Sequence, residues 1–322
     1  MKIDNLSSVQ DYKYACGFAS SDDFYQRGMD YNRSSYLALF DRFPAPDRSG
    51  VNAFDLEYVR RAPGRPLRVR IHNPTEIDHP EMLPCIIYAH GGGFGAGNID
   101  VVNSICRDLV LDLKIRVAAV EYRLAPEHPH PAALEDCLAA YLYLRENAAD
   151  LKIDINKIYF AGESCGGSFS IGLPLMLRDK GLPQLAGSIA INPVLDVHRW
   201  AQRHEIDCPQ DFCDEMHFFT STYLGANENV LVEYASPLLA DSVQGLPPAV
   251  FWACRVDPLA ADAEQFHERL LKAGISSVIY IDEVAVHGSL RARYHYQFAH
   301  AGYLRLIACI QVLMSTFVTK AA

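Results

Sequence analysis

Residues 157–179 read KIYFAGESCGGSFSIGLPLMLRD. The first seven are an apolar, strand-forming run, and the stretch from Cys165 onward reads as a helix stopped by Gly181. Between the two lies GESCG, a G-x-S-x-G match placed where a strand turns directly into a helix. That context is what such a motif requires: a tight turn that lifts Ser164 out of a sheet, with small residues on either side of it. Gly162 and Gly166 permit the turn, and Gly167 lets the helix pack close to the strand.

Short apolar runs alternate with helical stretches on both sides of this junction. Upstream, FDLEYVRRA and LRVRIHNP alternate like two half-exposed antiparallel strands joined by PGRP. PCIIYAH (84–90) and RVAAVEY (116–122) read as buried strands. The helices NIDVVNSICRDLVLDL (98–113) and PAALEDCLAAYLYLREN (131–147) follow them, the second with Pro131 in its first turn. Downstream, AGSIAIN, PAVFWAC and SSVIYI complete a set of about eight strands. The helix ADAEQFHERLLKAG precedes the last strand, and a final helix covers roughly 295–318. Such alternation predicts an α/β fold, with a mostly parallel sheet covered by helices on both faces. Two regions stand apart from the core segments 51–195 and 236–322. Residues 1–50 are aromatic and polar with weak helical patterning, and 196–235 interrupt the alternation as an inserted helical segment.

Ligands of such a sheet bind beyond the C-terminal ends of its strands. Four segments fall there: HGGGF at 90–94, GESCGG at 162–167, RVDPL at 255–259 and VHGS at 286–289. A serine hydroxyl is a poor nucleophile until a base takes its proton, and the base needs a carboxylate to orient it. On this architecture the chain order is Ser, acid, His. Asp257 and His287, each just past a strand, satisfy that order for Ser164. Asp262 falls one turn into a helix, and Asp282 and Glu283 are too near His287 in sequence to reach it comfortably. His295 and His300 read as helical, hence as surface or packing residues, and His90 precedes the serine.

The glycines at 91–93 admit two readings. GGGFGA at 91–96 formally matches a dinucleotide-binding loop, with Glu121 farther on. That fingerprint usually opens its domain, whereas here two strands precede it and a Ser–Asp–His set follows. The better reading is a set of bare N–H donors aimed at an oxygen that becomes negative during acyl transfer, with a further donor from the amide of Cys165.

The chain has 322 residues, half of them hydrophobic, and a formal net charge of −10 without a Lys/Arg run. This argues against a nucleic-acid or anionic-membrane partner. No predominantly apolar stretch is expected to approach the ~18 residues of a membrane span, and the N-terminus lacks a signal-peptide core. Nine cysteines without C-x-x-C spacing suggest buried thiols in a reducing cytoplasm, with pairing of Cys208 and Cys213 left open.

HGGGF, YRLAPEHPHPAALED (122–136), GESCGG, LPPAVFWACRVDPL (246–259) and HG at 287–288 together resemble the bacterial hormone-sensitive-lipase-like esterases, family IV of the α/β-hydrolase superfamily. The resemblance covers about residues 60–315 and implies an α/β-hydrolase fold with a helical cap built from 1–50 and 196–235. Carried over by position, it implies Ser164, Asp257 and His287 as the triad and Gly92, Gly93 and Cys165 as oxyanion donors. Arg123 and Glu127 would support the glycine loop. Phe212, Phe218, Phe219 and Tyr223 are candidates for an acyl pocket or for plain cap packing. This chain departs from the commoner GDSAGG at Glu163 and Cys165, has Ser289 where Phe is usual, and reads DPLAAD in place of DPLRDE. The expected activity is hydrolysis of short- to medium-chain esters of small molecules, with no metal or organic cofactor and with a homodimer by resemblance only. Alternatives are an amidase or N-acyl deacetylase using the same triad, and a non-catalytic ligand receptor or regulatory protein on this fold.

Overall fold

The computed structural model describes residues 27–59, 66–75, 82–202, 208–227 and 230–315. Eight strands form one sheet in the order β1-β2-β4-β3-β5-β6-β7-β8. They are β1 (Val51–Val59), β2 (Pro66–Pro74), β3 (Leu83–Ala89), β4 (Arg116–Val120), β5 (Ile153–Glu163), β6 (Gly187–Ile191), β7 (Ala249–Cys254) and β8 (Ser277–Asp282). The β1–β2 and β2–β4 pairs are antiparallel and the other five are parallel. The α/β-hydrolase expectation holds, including its strand count.

Alternation within single strands sorts side chains to the two faces. In β3, Cys85, Ile87 and Ala89 join a core under helices Ala132–Glu146, Cys165–Asp179 and Ala260–Lys272. Ile86 and Tyr88 point the other way, into a core shared with helices Asn103–Leu113 and Gln297–Ser315. Both faces being covered explains why the central strands are near-continuous apolar runs.

Three local expectations change. The helix anticipated from residue 98 begins at Asn103, because the Asn98 side chain accepts from the N–H groups of Asp100 and Val101 and holds 98–102 as turns. β5 begins at Ile153, earlier than KIYFAGE suggested. The Gln297–Ser315 helix is, by length and composition, apolar enough to cross a membrane, contrary to the expectation that no stretch was. Phe298, Tyr303, Leu306 and Ile310 of this helix are buried in the second core, while Leu304 and Val312 are exposed. The PGRP turn is only partly described, and residues 1–26 lie outside the described set. The remainder of the N-terminal segment contributes the Met29–Asp41 helix.

Candidate active site

Because β3, β5, β7 and β8 run parallel, their C-terminal ends lie on one edge of the sheet. The four singled-out segments follow those ends. Ser164 sits at the turn from β5 into the Cys165–Asp179 helix with φ 58°, a left-handed conformation unusual for a residue with a side chain. Its N–H donates to the Ile191 carbonyl at 2.8 Å, which ties the strained turn to β6. A Cβ on Gly162 would collide with the Gly166 backbone, and one on Gly166 with the Ala89 carbonyl. A Cβ on Gly167 would press on Ile191 and Pro193 at 3.1 Å. The three glycines serve the close strand–helix approach anticipated for them.

The loops after β7 and β8 bring Asp257 and His287 together. His287 Nδ1 lies 2.6 Å from Asp257 Oδ2, while the other carboxylate oxygen accepts from the Leu259 N–H at 3.0 Å. Burial alone would lower the imidazole pKa, but the adjacent Asp257 carboxylate raises it above its usual value through charge and hydrogen bond. Glu163 adds to the rise and Arg291 opposes it. Ser164, Asp257 and His287 line one cavity of about 330 Å³.

Gly91, Gly92 and Gly93 line the same cavity. Gly92 has φ 126° and Gly93 φ 59°, and the Gly92 carbonyl accepts from the N–H groups of Gly95 and Ala96. Among the described residues, no backbone carbonyl accepts from the N–H of Gly92, Gly93 or Cys165. The loop therefore presents N–H groups that make no backbone hydrogen bond beside Ser164, and that of Gly93 also faces the Cys165 thiol. His90 is excluded from proton transfer by its setting: it is buried and stacked on Tyr122, with Nδ1 2.7 Å from the Gly91 carbonyl. Burial drives its pKa down to about 4.

Arg123 holds Asp136 through its Nε at 2.9 Å and donates to the Ala132 carbonyl. Glu127 is engaged by Arg33, a residue the sequence reading did not single out. The Arg33 guanidinium reaches Glu127, the Ala125 carbonyl and the Gly95 carbonyl, fastening the Met29–Asp41 helix to the glycine loop. That hydrogen bond pulls the Glu127 carboxyl down to about 2.

A family profile described as the alpha/beta hydrolase fold matches residues 86–291. The chain belongs to the alpha/beta hydrolase family. The hydrolase is 33% identical over 226 residues to the carboxylesterase NlhH of Mycobacterium tuberculosis, an alignment covering 68% of this chain and 70% of that one. It is 31% identical to the esterase LipI of the same species, over 70% and 72% of the two chains. Its fold superposes on an ester hydrolase from the Lake Arreo metagenome with a TM-score of 0.82 and 26% identity, covering 99% and 100% of the chains. These relatives agree with the resemblance to hormone-sensitive-lipase-like esterases.

The Met29–Asp41 helix gives Asn32, Tyr36 and Leu39 to the cavity wall, and another part comes from the Gln210–Leu224 helix, whose entry is clipped by a Cys208–Cys213 disulfide. Of the four aromatics considered for a pocket, Phe212 and Phe219 line the cavity. Phe218 packs edge-on to Phe219, and Tyr223 stacks on Phe94 with its hydroxyl 3.0 Å from His130 Nδ1, so these two do not form its wall. Glu215 also lines the cavity, and burial pushes its carboxyl up to about 7, with His287 opposing the rise and Asp211 adding to it. Among the competing residues, Asp262 is buried and accepts from the N–H groups of Leu195 and Asp196 and from Arg199. Asp282 accepts from the N–H groups of Val284 and Ala285. His295 contacts the Pro44 carbonyl. All three are structural.

Proposed function

We propose that this hydrolase cleaves short- to medium-chain esters of small molecules through a covalent acyl-enzyme. Its esterase relatives make it a carboxylic ester hydrolase; the chemistry below is our reading of its site. The 2.6 Å bond between His287 and Asp257, facing the cavity that Ser164 also lines, carries the proposal.

With Nδ1 committed to Asp257, Nε2 of His287 is the nitrogen left to take the Ser164 proton as Oγ attacks the ester carbonyl. The carbonyl oxygen becomes an oxyanion, stabilised by the N–H groups of Gly92, Gly93 and Cys165. The His287 imidazolium returns its proton to the departing alkoxide, which leaves an ester on Ser164. Water then attacks that ester with the same base, freeing the acid and restoring the serine. Phe212, Met216 and Phe219 line the cavity, and they supply apolar surface for an acyl chain of limited length. We assign the Met29–Asp41 and Gln210–Leu224 helices the part of a cap over this site.

A p-nitrophenyl ester series from acetate to laurate tests the reading with wild type and Ser164→Ala. Turnover should peak at the short end and vanish in the variant. Folded wild type that hydrolyses no chain length would overturn it, and activity surviving in the variant would remove Ser164 from its role.

A further inference from the structure

Asn32 lies in the Met29–Asp41 helix, fully buried, and lines the cavity that holds Ser164 and His287. Neither its amide nitrogen nor its amide oxygen has a hydrogen-bond partner among the described residues. Ser289, Trp200 and Trp252 also carry unpaired buried polar atoms, but none of them lines the cavity, and the other partly unpaired groups differ. Asn192 is missing a partner only at its nitrogen, since its oxygen accepts from the Cys254 N–H, and His90 is missing one only at Nε2. Asn32 is unpaired at both ends, and it is unpaired on the cavity that holds Ser164 and His287.

The placement of this carboxamide is well defined. Arg33, the next residue, anchors the helix to the glycine loop through the Gly95 and Ala125 carbonyls. Tyr36, one turn later and on the same face, packs against that loop. Its hydroxyl is 3.3 Å from where a Cβ on Gly91 would stand, and the Ser164 Cβ is 3.6 Å from the same point. Met29, one turn earlier, covers Gly95. Asn32 stands between these two contacts, over the loop.

A buried carboxamide without partners is less favourable than an apolar side chain of the same size, so packing alone does not account for Asn at this position. An unmet donor and acceptor in a binding cavity discriminate strongly when the ligand supplies their complement, because a ligand lacking it leaves both unpaired. We propose that Asn32 is a specificity-determining residue that hydrogen-bonds a polar substituent of the ester, a hydroxyl or an amide able both to donate and to accept. The hydrolase then prefers esters bearing such a group over plain alkyl esters. This assignment rests on the ester-hydrolase reading above.

The test compares wild type, Asn32→Leu and Asn32→Ala by pH-stat on four substrates. Ethyl butyrate is the plain ester; ethyl 3-hydroxybutyrate and N-acetylglycine ethyl ester carry the polar group on the acyl side, and 2-hydroxyethyl butyrate carries it on the alcohol side. Wild type should favour at least one polar ester over ethyl butyrate. In both variants the ratio of kcat/KM for that ester to kcat/KM for ethyl butyrate should fall about tenfold. The substrate that loses its advantage identifies the side on which Asn32 acts. Thermal melting supplies the second readout: Asn32→Leu should melt no lower than wild type, since it removes an unpaired polar group from the interior. An unchanged ratio in folded variants, or a fall in melting temperature with every substrate affected alike, makes Asn32 structural and overturns the assignment. Wild type inactive on all four esters would instead bring down the ester-hydrolase reading, and this inference with it.

Discussion

His287 Nδ1 and Asp257 Oδ2 meet at 2.6 Å across 30 residues of chain, joining the loops that follow β7 and β8. The pair fixes both the tautomer and the orientation of the imidazole. Asp257→Asn keeps the shape of the side chain but offers an amide where a carboxylate had accepted, so the ring is no longer held with Nε2 as base. We expect kcat to fall by about 10⁴ with little change in KM, as for a group acting on the transition state and not on binding. Steady-state kinetics on p-nitrophenyl butyrate check this, and a loss below about tenfold would show that another carboxylate orients His287.

The same pair sets the pH dependence. A base must be unprotonated to accept the serine proton, so kcat/KM rises as His287 loses its own proton. Asp257, with help from Glu163, favours the protonated ring, while Arg291 disfavours it. The acid limb of the wild-type profile should therefore have its midpoint above the ordinary imidazole value of about 6.5. Glu163→Gln removes a negative neighbour and should move that midpoint to lower pH. Arg291→Gln removes a positive one and should move it to higher pH. Shifts in the same direction from both variants would contradict this electrostatic account.

How much of this was legible in the sequence follows the range of the interactions involved. The strand–turn–helix around Ser164 is encoded by adjacent residues, and the order Ser164, Asp257, His287 follows from the α/β alternation. The glycine triplet announced its loop. Asn32 and Arg33 could not be read, because YNRSSYLALF has no strong apolar face to show which of its polar residues turn inward. Arg33 meets its carboxylate 94 residues away, and only the folded chain reveals that partner. Phe218 and Phe219 are neighbours with the same chemistry, and a helix sends one to the cavity wall and the other away from it. The Asn103–Leu113 helix starts later than apolar periodicity predicts because the Asn98 side chain competes for backbone donors, an effect that periodicity does not register.

The glycine loop and the Gln210–Leu224 helix are in direct contact, which makes the N–H groups we propose as oxyanion donors sensitive to that helix. A Cβ on Gly93 would lie 2.5 Å from the Phe219 ring. Gly93→Ala should thus displace the loop and lower kcat/KM by about 10², the scale of a lost oxyanion donor. Adding Phe219→Ala clears the collision and should recover about tenfold. Recovery stays incomplete because φ 59° remains unfavourable for alanine. A double-mutant cycle gives the coupling directly, and strictly additive losses would mean that the ring does not set the loop position.

Glu215 offers a test of the opposite wall through stability. Burial raises its carboxyl from the ordinary 4.5 to about 7 in the folded chain, so the folded state holds this proton more tightly than the unfolded one. Its contribution to stability is therefore fully present below pH 4.5, declines as pH rises, and is lost above about 7, where folding must carry a poorly solvated anion. Glu215→Gln is neutral at every pH and avoids that loss. The variant should match wild type near pH 4.5 and exceed it by about 1 kcal/mol at pH 8, a figure reduced for the part of the side chain that opens on the cavity. Urea unfolding of both proteins at the two pH values reads the effect of Glu215 together with its coupling to His287 and Asp211, since the other titrating groups are common to them. An equal difference at both pH values would assign the change to packing, and a variant weaker than wild type at pH 8 would mean that His287, which favours the anion, outweighs burial.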